Sequence, residues 1–349
     1  MLVRIGNTQI GPEHPCYIIA EAGVNHNGQL DLALELVRQA KAIGVDCVKF
    51  QTFKAEAVVT LEAPKANYQL KVTDQQESQF EMLKKLELQL EDYHQIIALC
   101  KELDIQFLST PYNFDDADFL NQLGVAAFKI ASGQLVELAF LDYVARFQKP
   151  MIISSGMATL AEVYEGVQTI RQAGNHQIVL LQCTTNYPSA IEDANIRAMV
   201  SMQQSLNIIV GYSDHVANNY ACYAAVSLGA KLIEKHFTLD KNMEGPDHSS
   251  SLNPTEFKAL VDGIRLTEKA LGSSVKTPTA AEVANTQGMR RSIVLLENLS
   301  QGSTLQMHHL AFKRPATGLA PKRLPDILGK QINQDLNKDS ILKEEHINW

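Results

Sequence analysis

The sequence lacks any segment that a bilayer could hold, since no apolar run reaches the roughly 18 residues a membrane helix needs. The opening MLVRIGNTQIGP is too short and too polar for a secretory leader. Positive charge is not in surplus either. The formal net charge is −8, which argues against broad nucleic-acid or membrane-surface binding while leaving room for a local basic pocket. Cysteine is sparse, five residues in 349, odd in number and without CxxC spacing. Cys16, Cys47 and Cys183 sit in or beside apolar strand-like runs, as reduced core thiols of a cytoplasmic protein would. No GxGxxG follows the first strand-like run, so a dinucleotide fingerprint is missing.

What is present is a rhythm. Short apolar runs recur at CYIIA (16–20), DCVKFQ (46–51), IQFLST (105–110), AAFKIAS (126–132), PMIISS (150–155), IVLLQC (178–183), IIVGYSD (208–214) and KLIEKHF (231–237). Stretches such as LDLALELVRQAKAIG and TLAEVYEGVQTIRQAG lie between them, with apolar residues at helical spacing and a glycine stop. Strand and helix in strict alternation imply parallel strands joined by right-handed crossovers. Eight such units predict an α/β fold, a (β/α)8 TIM barrel over residues 1–272, with a doubly wound open sheet as the rival. Residues 52–78 form a long connection after the second strand, carrying Tyr68, Gln69 and three lysines, and read as a lid over the mouth or a disordered insertion.

Residues 273–288, polar and rich in Ser, Thr and Ala, read as a linker to a second small domain over 289–349. That domain holds a weak internal repeat: LSQGSTLQMHHL (299–310) aligns with LNKDSILKEEHI (336–347), pairing Ser303 with Ser340, Leu305 with Leu342 and His309 with His346. A unit this small buries little core alone and gains by docking elsewhere.

In a barrel, chemistry collects at the C-terminal strand ends. Those ends carry Glu21, Lys49 and Gln51, Ser109 and Thr110, Lys129 and Ser132, Ser154 and Ser155, Cys183 and Thr184, Ser213 with Asp214 and His215, and Glu234 with His236. Lys49 and Lys129, ringed by the hydroxyls of Thr110, Ser132, Ser154 and Ser213, suit an oxyanion such as a phosphate beside a carboxylate. Alternatively, the lysines serve only as partners for Glu21 or Glu234. His215 and His236 end neighbouring strands, where two neutral imidazoles can ligate a divalent first-row metal or can be satisfied core histidines. Asp214, Glu234 and Asp247 are candidate acceptors that would orient those rings or hold metal-bound water, whereas His248 is expected on the surface. In the tail, KRPATGL (313–319) presents Arg314 on a turn, either solvated or available for docking.

Here the chain resembles the sialic acid synthase family. The matching stretches are IIAEAGVNHNG, VKFQTFKAE, APKANYQ, QFEMLKKLEL, FLSTPYN, KIASG, SSGMAT, GYSDH, EKHFTLDKNMEGPDH and KRP, in order along almost the whole chain. The tail looks like that family's antifreeze-like (SAF) domain. The resemblance implies condensation of phosphoenolpyruvate with an open-chain N-acylmannosamine-type sugar, releasing phosphate, with Mn²⁺ or Mg²⁺ bound.

It further implies that Lys49, Thr110, Lys129, Ser132, Ser154 and Ser213 hold phosphoenolpyruvate, and that His215 and His236 bind the metal, a Lewis acid toward the sugar aldehyde. Glu21, Gln51, Tyr187 and Asp247 would contact the sugar, with Tyr68 on the lid nearby. Arg314 would reach the partner's barrel in a domain-swapped homodimer. One position departs from the family: Gln134, counted among the residues expected to bind substrate, stands where a Glu usually follows the Ser-Gly of KIASG, so a carboxylate role passes to Glu21, to metal-bound water, or is smaller than the motif suggests. N-acetylmannosamine, giving N-acetylneuraminate, is the expected substrate. A 2,4-diacetamido-trideoxy sugar, giving N,N'-diacetyllegionaminate, is the alternative. A metal-dependent pyruvate aldolase and a non-catalytic sugar-binding module are the remaining readings.

Overall fold

A computed structural model describes every residue except Met1, Asn67, Tyr68 and Gln75, and leaves the Lys71 side chain undescribed. The chain divides into two compact units, Met1–Gly272 and Ser273–Trp349. Among the described residues no helix is long and apolar enough to cross a membrane.

The first unit is a near-closed barrel of eight parallel strands: β1 (Tyr17–Gly23), β2 (Cys47–Thr52), β3 (Gln106–Pro111), β4 (Phe128–Ile130), β5 (Met151–Ser154), β6 (Ile178–Cys183), β7 (Ile209–Asp214) and β8 (Leu232–His236). Hydrogen-bonded ladders run β3-β2-β1-β8-β7-β6-β5-β4, and the expected barrel is the architecture found. Helices cover it by the pattern their sequences carry. In α1 (Leu30–Ile43), Ala33, Leu36, Val37, Ala40 and Ile43 form one buried stripe, and Gly44 ends the helix in the left-handed conformation at φ 87°.

Side chains of a strand alternate between the barrel axis and the helical layer. Tyr17, Ile19, Cys47, Leu108, Ile152, Val179, Leu181, Ile209 and Leu232 fill the lower interior. Val3, Ile5 and Ile10 of an antiparallel hairpin (Val3–Ile5 with Thr8–Ile10) join that cluster and close its floor. The polar-looking N-terminal segment is therefore the plug of the barrel. All five cysteines are buried and free, as expected of reduced core thiols.

The long second connection is not structureless. It contains short helices at Ala55–Val58, Gln69–Val72 and Gln79–Lys85, the last opened by a Ser78–Glu81 capping box. Lys65, buried, donates to Thr73 Oγ1 (2.9 Å), the Asp74 carbonyl (2.7 Å) and Glu77 Oε1 (2.8 Å), so this lysine staples its own segment.

In the second unit, strands Ser292–Leu295 and Leu310–Lys313 pair, as do Gln331–Ile332 and Ile347–Asn348. The internal repeat is structural: Leu299 and Leu336 exchange backbone hydrogen bonds of 2.9 Å each. The repeat histidines have one task, since His309 Nδ1 accepts from Gln306 N (3.1 Å) and His346 Nδ1 from Lys343 N (3.3 Å). A helix, Ala280–Met289, occupies part of the stretch read as a linker.

The loop after β1, VNHNG, is tied to the loop after β8. Asn25 Nδ2 donates to the Phe237 carbonyl and to Ser251 Oγ, both at 2.8 Å. His248, expected on the surface, is instead fully buried between Thr238 Oγ1 (2.6 Å) and Asn27 Oδ1 (3.1 Å). Burial lowers its imidazole to about 4, so folding favours the neutral ring. That stabilisation is complete above the unfolded value near 6.5 and is lost as pH falls through 4. The stability difference between wild type and His248→Asn, read from urea midpoints, should therefore shrink by about 3 kcal/mol between pH 7 and pH 4. A pH-independent difference would contradict it.

Candidate active site

Four ionised side chains form the layer above the apolar interior. Lys49 on β2 lies 2.5 Å from Glu21 Oε2 on β1 and 3.7 Å from Glu234 Oε2 on β8. Lys129 on β4 lies 3.3 Å from Glu234 Oε1. Hydroxyls complete the ring: Lys49 Nζ donates to Thr110 Oγ1 (3.0 Å), Lys129 Nζ to Ser154 Oγ (2.8 Å), and Ser213 Oγ to Glu234 Oε1 (2.9 Å). All of these residues are buried.

Their protonation follows from position. Burial pushes the Glu234 carboxyl up, but Lys129 and Lys49 outweigh it and hold it at about 2. Burial, less fully offset by Lys49 and reinforced by Glu234, leaves Glu21 above the usual carboxylate range. Burial lowers Lys129; it acts on Lys49 as well, but there the two glutamates outweigh it and keep the ammonium above its ordinary value. Of the two glutamates, Glu21 is thus the readier to carry a proton.

At the rim, the His215 and His236 ring centroids are 5.4 Å apart. Tyr187 packs on both, with centroids at 4.1 and 5.7 Å. His215 Nδ1 lies 2.8 Å from the Thr184 carbonyl, which places the proton on Nδ1 and leaves the Nε2 lone pair available. His236 Nδ1 is buried without a hydrogen-bond partner, and burial holds its ring neutral, well below the ordinary range. Asp247 Oδ2 stands 3.9 Å from that nitrogen, and burial raises its carboxyl to about 6. The two imidazoles, one with an orphaned nitrogen, are ligand types that suit a divalent metal, with the Asp247 carboxyl beside His236.

Glu21, Lys49, Gln51, Thr110, Lys129, Ser132, Gln134, Ser154, Tyr187, Ser213, His215, Glu234 and His236 line one cavity of about 740 Å³. Gln51 Nε2 donates to Glu21 Oε1 (3.2 Å), and its Oε1 accepts from Tyr112 OH (3.2 Å), a tyrosine the strand-end reading passed over because it follows β3. Ser132 Oγ accepts from Gly156 N (3.0 Å), and a Cβ on Gly156 would lie 2.7 Å from that oxygen, so only glycine fits. Tyr68 lies outside the described residues. Arg314 belongs to the second unit, where it is exposed and its Nε donates to the Met289 carbonyl (3.0 Å).

Three expectations need correction. Lys235, in the middle of EKH, points away from the cavity, and pairs with Asp214 while also donating to the Val216 (2.6 Å) and Asn218 (2.8 Å) carbonyls. Asp214 accepts as well from Tyr212 OH (2.9 Å) and Val216 N (2.9 Å), so it braces the outside of the barrel and orients no imidazole. Glu234 engages lysines rather than the histidines. Gln134, expected to bind substrate, spends both ends of its amide on backbone: Nε2 donates to the Pro111 carbonyl (3.0 Å) and Oε1 accepts from Ala131 N (3.1 Å).

A parallel barrel with charged and hydroxyl groups in its mouth and an imidazole pair on the rim defines an enzyme-like anion site. The chain belongs to the NeuB family, whose model matches residues 36–276, and an SAF domain model matches 290–348. It is 43% identical over 329 residues to the N,N'-diacetyllegionaminic acid synthase of Campylobacter jejuni, covering 94% of this chain and 98% of that one. The human N-acetylneuraminate-9-phosphate synthase is 35% identical over 341 residues, covering 96% and 94%. The crystal structure of the Bacillus subtilis spore coat polysaccharide biosynthesis protein SpsE matches with a TM-score of 0.68 at 35% identity, covering 100% and 99%.

A carboxylate at position 134 cannot donate to the Pro111 carbonyl. Gln134→Glu should therefore lose about 1–3 kcal/mol of stability by urea unfolding without gaining activity. A gain in turnover would show that an acid belongs there.

Proposed function

We propose that this chain condenses phosphoenolpyruvate with the aldehyde of an N-acylated amino sugar, forming a nine-carbon α-keto sugar acid and phosphate. The observation that carries this is the buried pair Lys49 and Lys129 with the hydroxyls of Thr110, Ser154 and Ser213 in one cavity. Two ammonium groups, from strands separated only by β3, match the phosphate and carboxylate of phosphoenolpyruvate. Relatives named as synthases of this kind, the 43% and 35% identical ones included, support it.

The bound substrate brings negative charge into a layer already balanced by two glutamates. Glu21, with its raised proton affinity, is placed to take up a proton there and return it. Carbon 3 of phosphoenolpyruvate bonds to the aldehyde carbon and water bonds to carbon 2. One proton of that water ends on the new hydroxyl and the other on the departing phosphate as the C–O bond breaks. His215 and His236 would hold the divalent ion, with Asp247 at hand, and two imidazole nitrogens favour Mn²⁺ over Mg²⁺. That ion would supply Lewis-acid polarisation of the aldehyde. Gln51 and Tyr187, beside these groups, orient the sugar.

N-acetylmannosamine and a 2,4-diacetamido-trideoxy sugar are the two acceptors in view, and the 43% identical legionaminic acid synthase favours the second. The setting we infer is cytoplasmic. We also read Arg314 as acting across a domain-swapped homodimer. Phe114, Val136, Met157 and Leu160, exposed just after the C-terminal ends of β3, β4 and β5, offer an apolar rim for a partner's second unit to cover.

The test is phosphate release from phosphoenolpyruvate with Mn²⁺ and either sugar. Release abolished by EDTA, and lowered about 100-fold or more by Lys129→Met, is expected; sugar-independent turnover or no release contradicts the reading. Mixing His236→Ala with Arg314→Ala subunits should restore one working site per mixed dimer, and an inactive mixture places Arg314 in its own barrel.

A further inference from the structure

The loop that follows β6 reaches the rim imidazole of His215 and holds it at three points. The Thr184 carbonyl faces His215 Nδ1 at 2.8 Å. Tyr187 lies against the same ring, with centroids 4.1 Å apart. Ser189 N donates to the His215 carbonyl (2.8 Å), and Ser189 pairs with Val216 in a parallel bridge. Ring nitrogen, ring face and backbone of His215 are thus all set by residues 184–189. His236 has no such frame, since among the described residues its Nδ1 meets no hydrogen-bond partner.

The loop itself is held by hydroxyls rather than by apolar packing. Thr185, Asn186, Pro188 and Ala190 are exposed, and Ser189 is the buried member of the stretch. Ser189 Oγ donates to the Asn186 carbonyl (2.7 Å), with the Thr184 carbonyl 3.4 Å away, and Asn186 N donates to that Thr184 carbonyl (3.0 Å). Thr184 Oγ1 in turn donates to the Asp193 carbonyl (2.6 Å). The Ser189 hydroxyl therefore folds the loop back on itself, keeping together the two ends that meet His215.

We propose that Ser189 is a positioning residue for the divalent ion: its hydroxyl holds the 184–189 loop in the shape that fixes the His215 ring and leaves Nε2 for the metal. This rests on the synthase reading, in which His215 and His236 are the ligands. A ligand imidazole is oriented by the acceptor that binds its other nitrogen, and losing such a partner costs about 10- to 100-fold in metal affinity. Here that acceptor is a main-chain carbonyl, which no side-chain substitution deletes. The side chain that places the carbonyl carries the effect instead.

The experiment titrates full-length protein with Mn²⁺ alone, reading the free ion by electron paramagnetic resonance, beside calorimetric titration of phosphoenolpyruvate without metal. Ser189→Ala should bind Mn²⁺ about 10-fold more weakly than wild type, with affinity for phosphoenolpyruvate unchanged. Ser189→Thr, which keeps the hydroxyl, should restore Mn²⁺ binding. If Ser189→Ala fails to fold, Thr184→Val, which removes the bond to Asp193, should show the same selective loss. Unchanged Mn²⁺ affinity, an equal loss of both ligands, or a Ser189→Thr variant no better than Ser189→Ala would overturn the assignment while leaving the synthase reading intact. A wild type that binds no Mn²⁺ would overturn it together with the metal ligands on which it rests. A wild type that binds Mn²⁺ but releases no phosphate with either sugar would remove the synthase reading, and the selective Mn²⁺ loss in Ser189→Ala would still support the positioning role.

Discussion

The buried alternation Glu21–Lys49–Glu234–Lys129 is the constraint on which the rest of the barrel depends. Four charges in a protein interior are tolerable only when each faces an opposite one and its remaining lone pairs or protons are met. The barrel sets opposite charges together by drawing one member from each of β1, β2, β8 and β4 and adding hydroxyls from β3, β5 and β7, while Glu21 Oε2 and Glu234 Oε2 face lysine charge without a hydrogen bond. No two of the four lie on the same strand, so the layer exists only when the strands are in register. An array of this kind adds little net stability, and removing one member leaves an unpaired buried charge. Its value lies in a pair of ammonium groups held ready for an incoming anion.

The apolar floor under that layer matters for the same reason. The N-terminal hairpin closes the barrel below, so the lysines reach water, and ligands, only through the mouth. With water kept to one side, interactions between the lysines and a bound anion are less screened than at a surface. The imidazoles sit higher, where a second substrate arrives. Anion below and electrophile above is the stacking that a condensation between two molecules needs.

Much of this was legible in the chain. Strand-helix alternation marked the barrel because parallel strands carry near-continuous apolar runs. Lys49, Lys129, Glu234 and His236 stood out because an ionisable residue ending such a run must point somewhere useful. Period-2 alternation was the test that would have separated Glu234 and His236 from Lys235, which faces the helical layer and meets Asp214. Other features were hidden by the limits of local pattern. The hairpin plug reads as a polar terminus because only Val3, Ile5 and Ile10 face inward. His248 looks solvent-bound beside Asp247, yet long-range bonds to Thr238 and Asn27 bury it. Gln134 resembled a replaced acid, and only the structure shows its amide bridging Pro111 and Ala131.

The central claim is that the buried lysines form a ready-made site for phosphoenolpyruvate, independent of the sugar. Calorimetric titration of phosphoenolpyruvate into the full-length protein without sugar tests it most directly. The account predicts saturable binding by the wild type, weakened about 10-fold or more in Lys49→Met and in Lys129→Met while the fold, followed by circular dichroism, persists. Unchanged affinity in both correctly folded variants would show that the two lysines merely balance Glu21 and Glu234, and the account would be wrong.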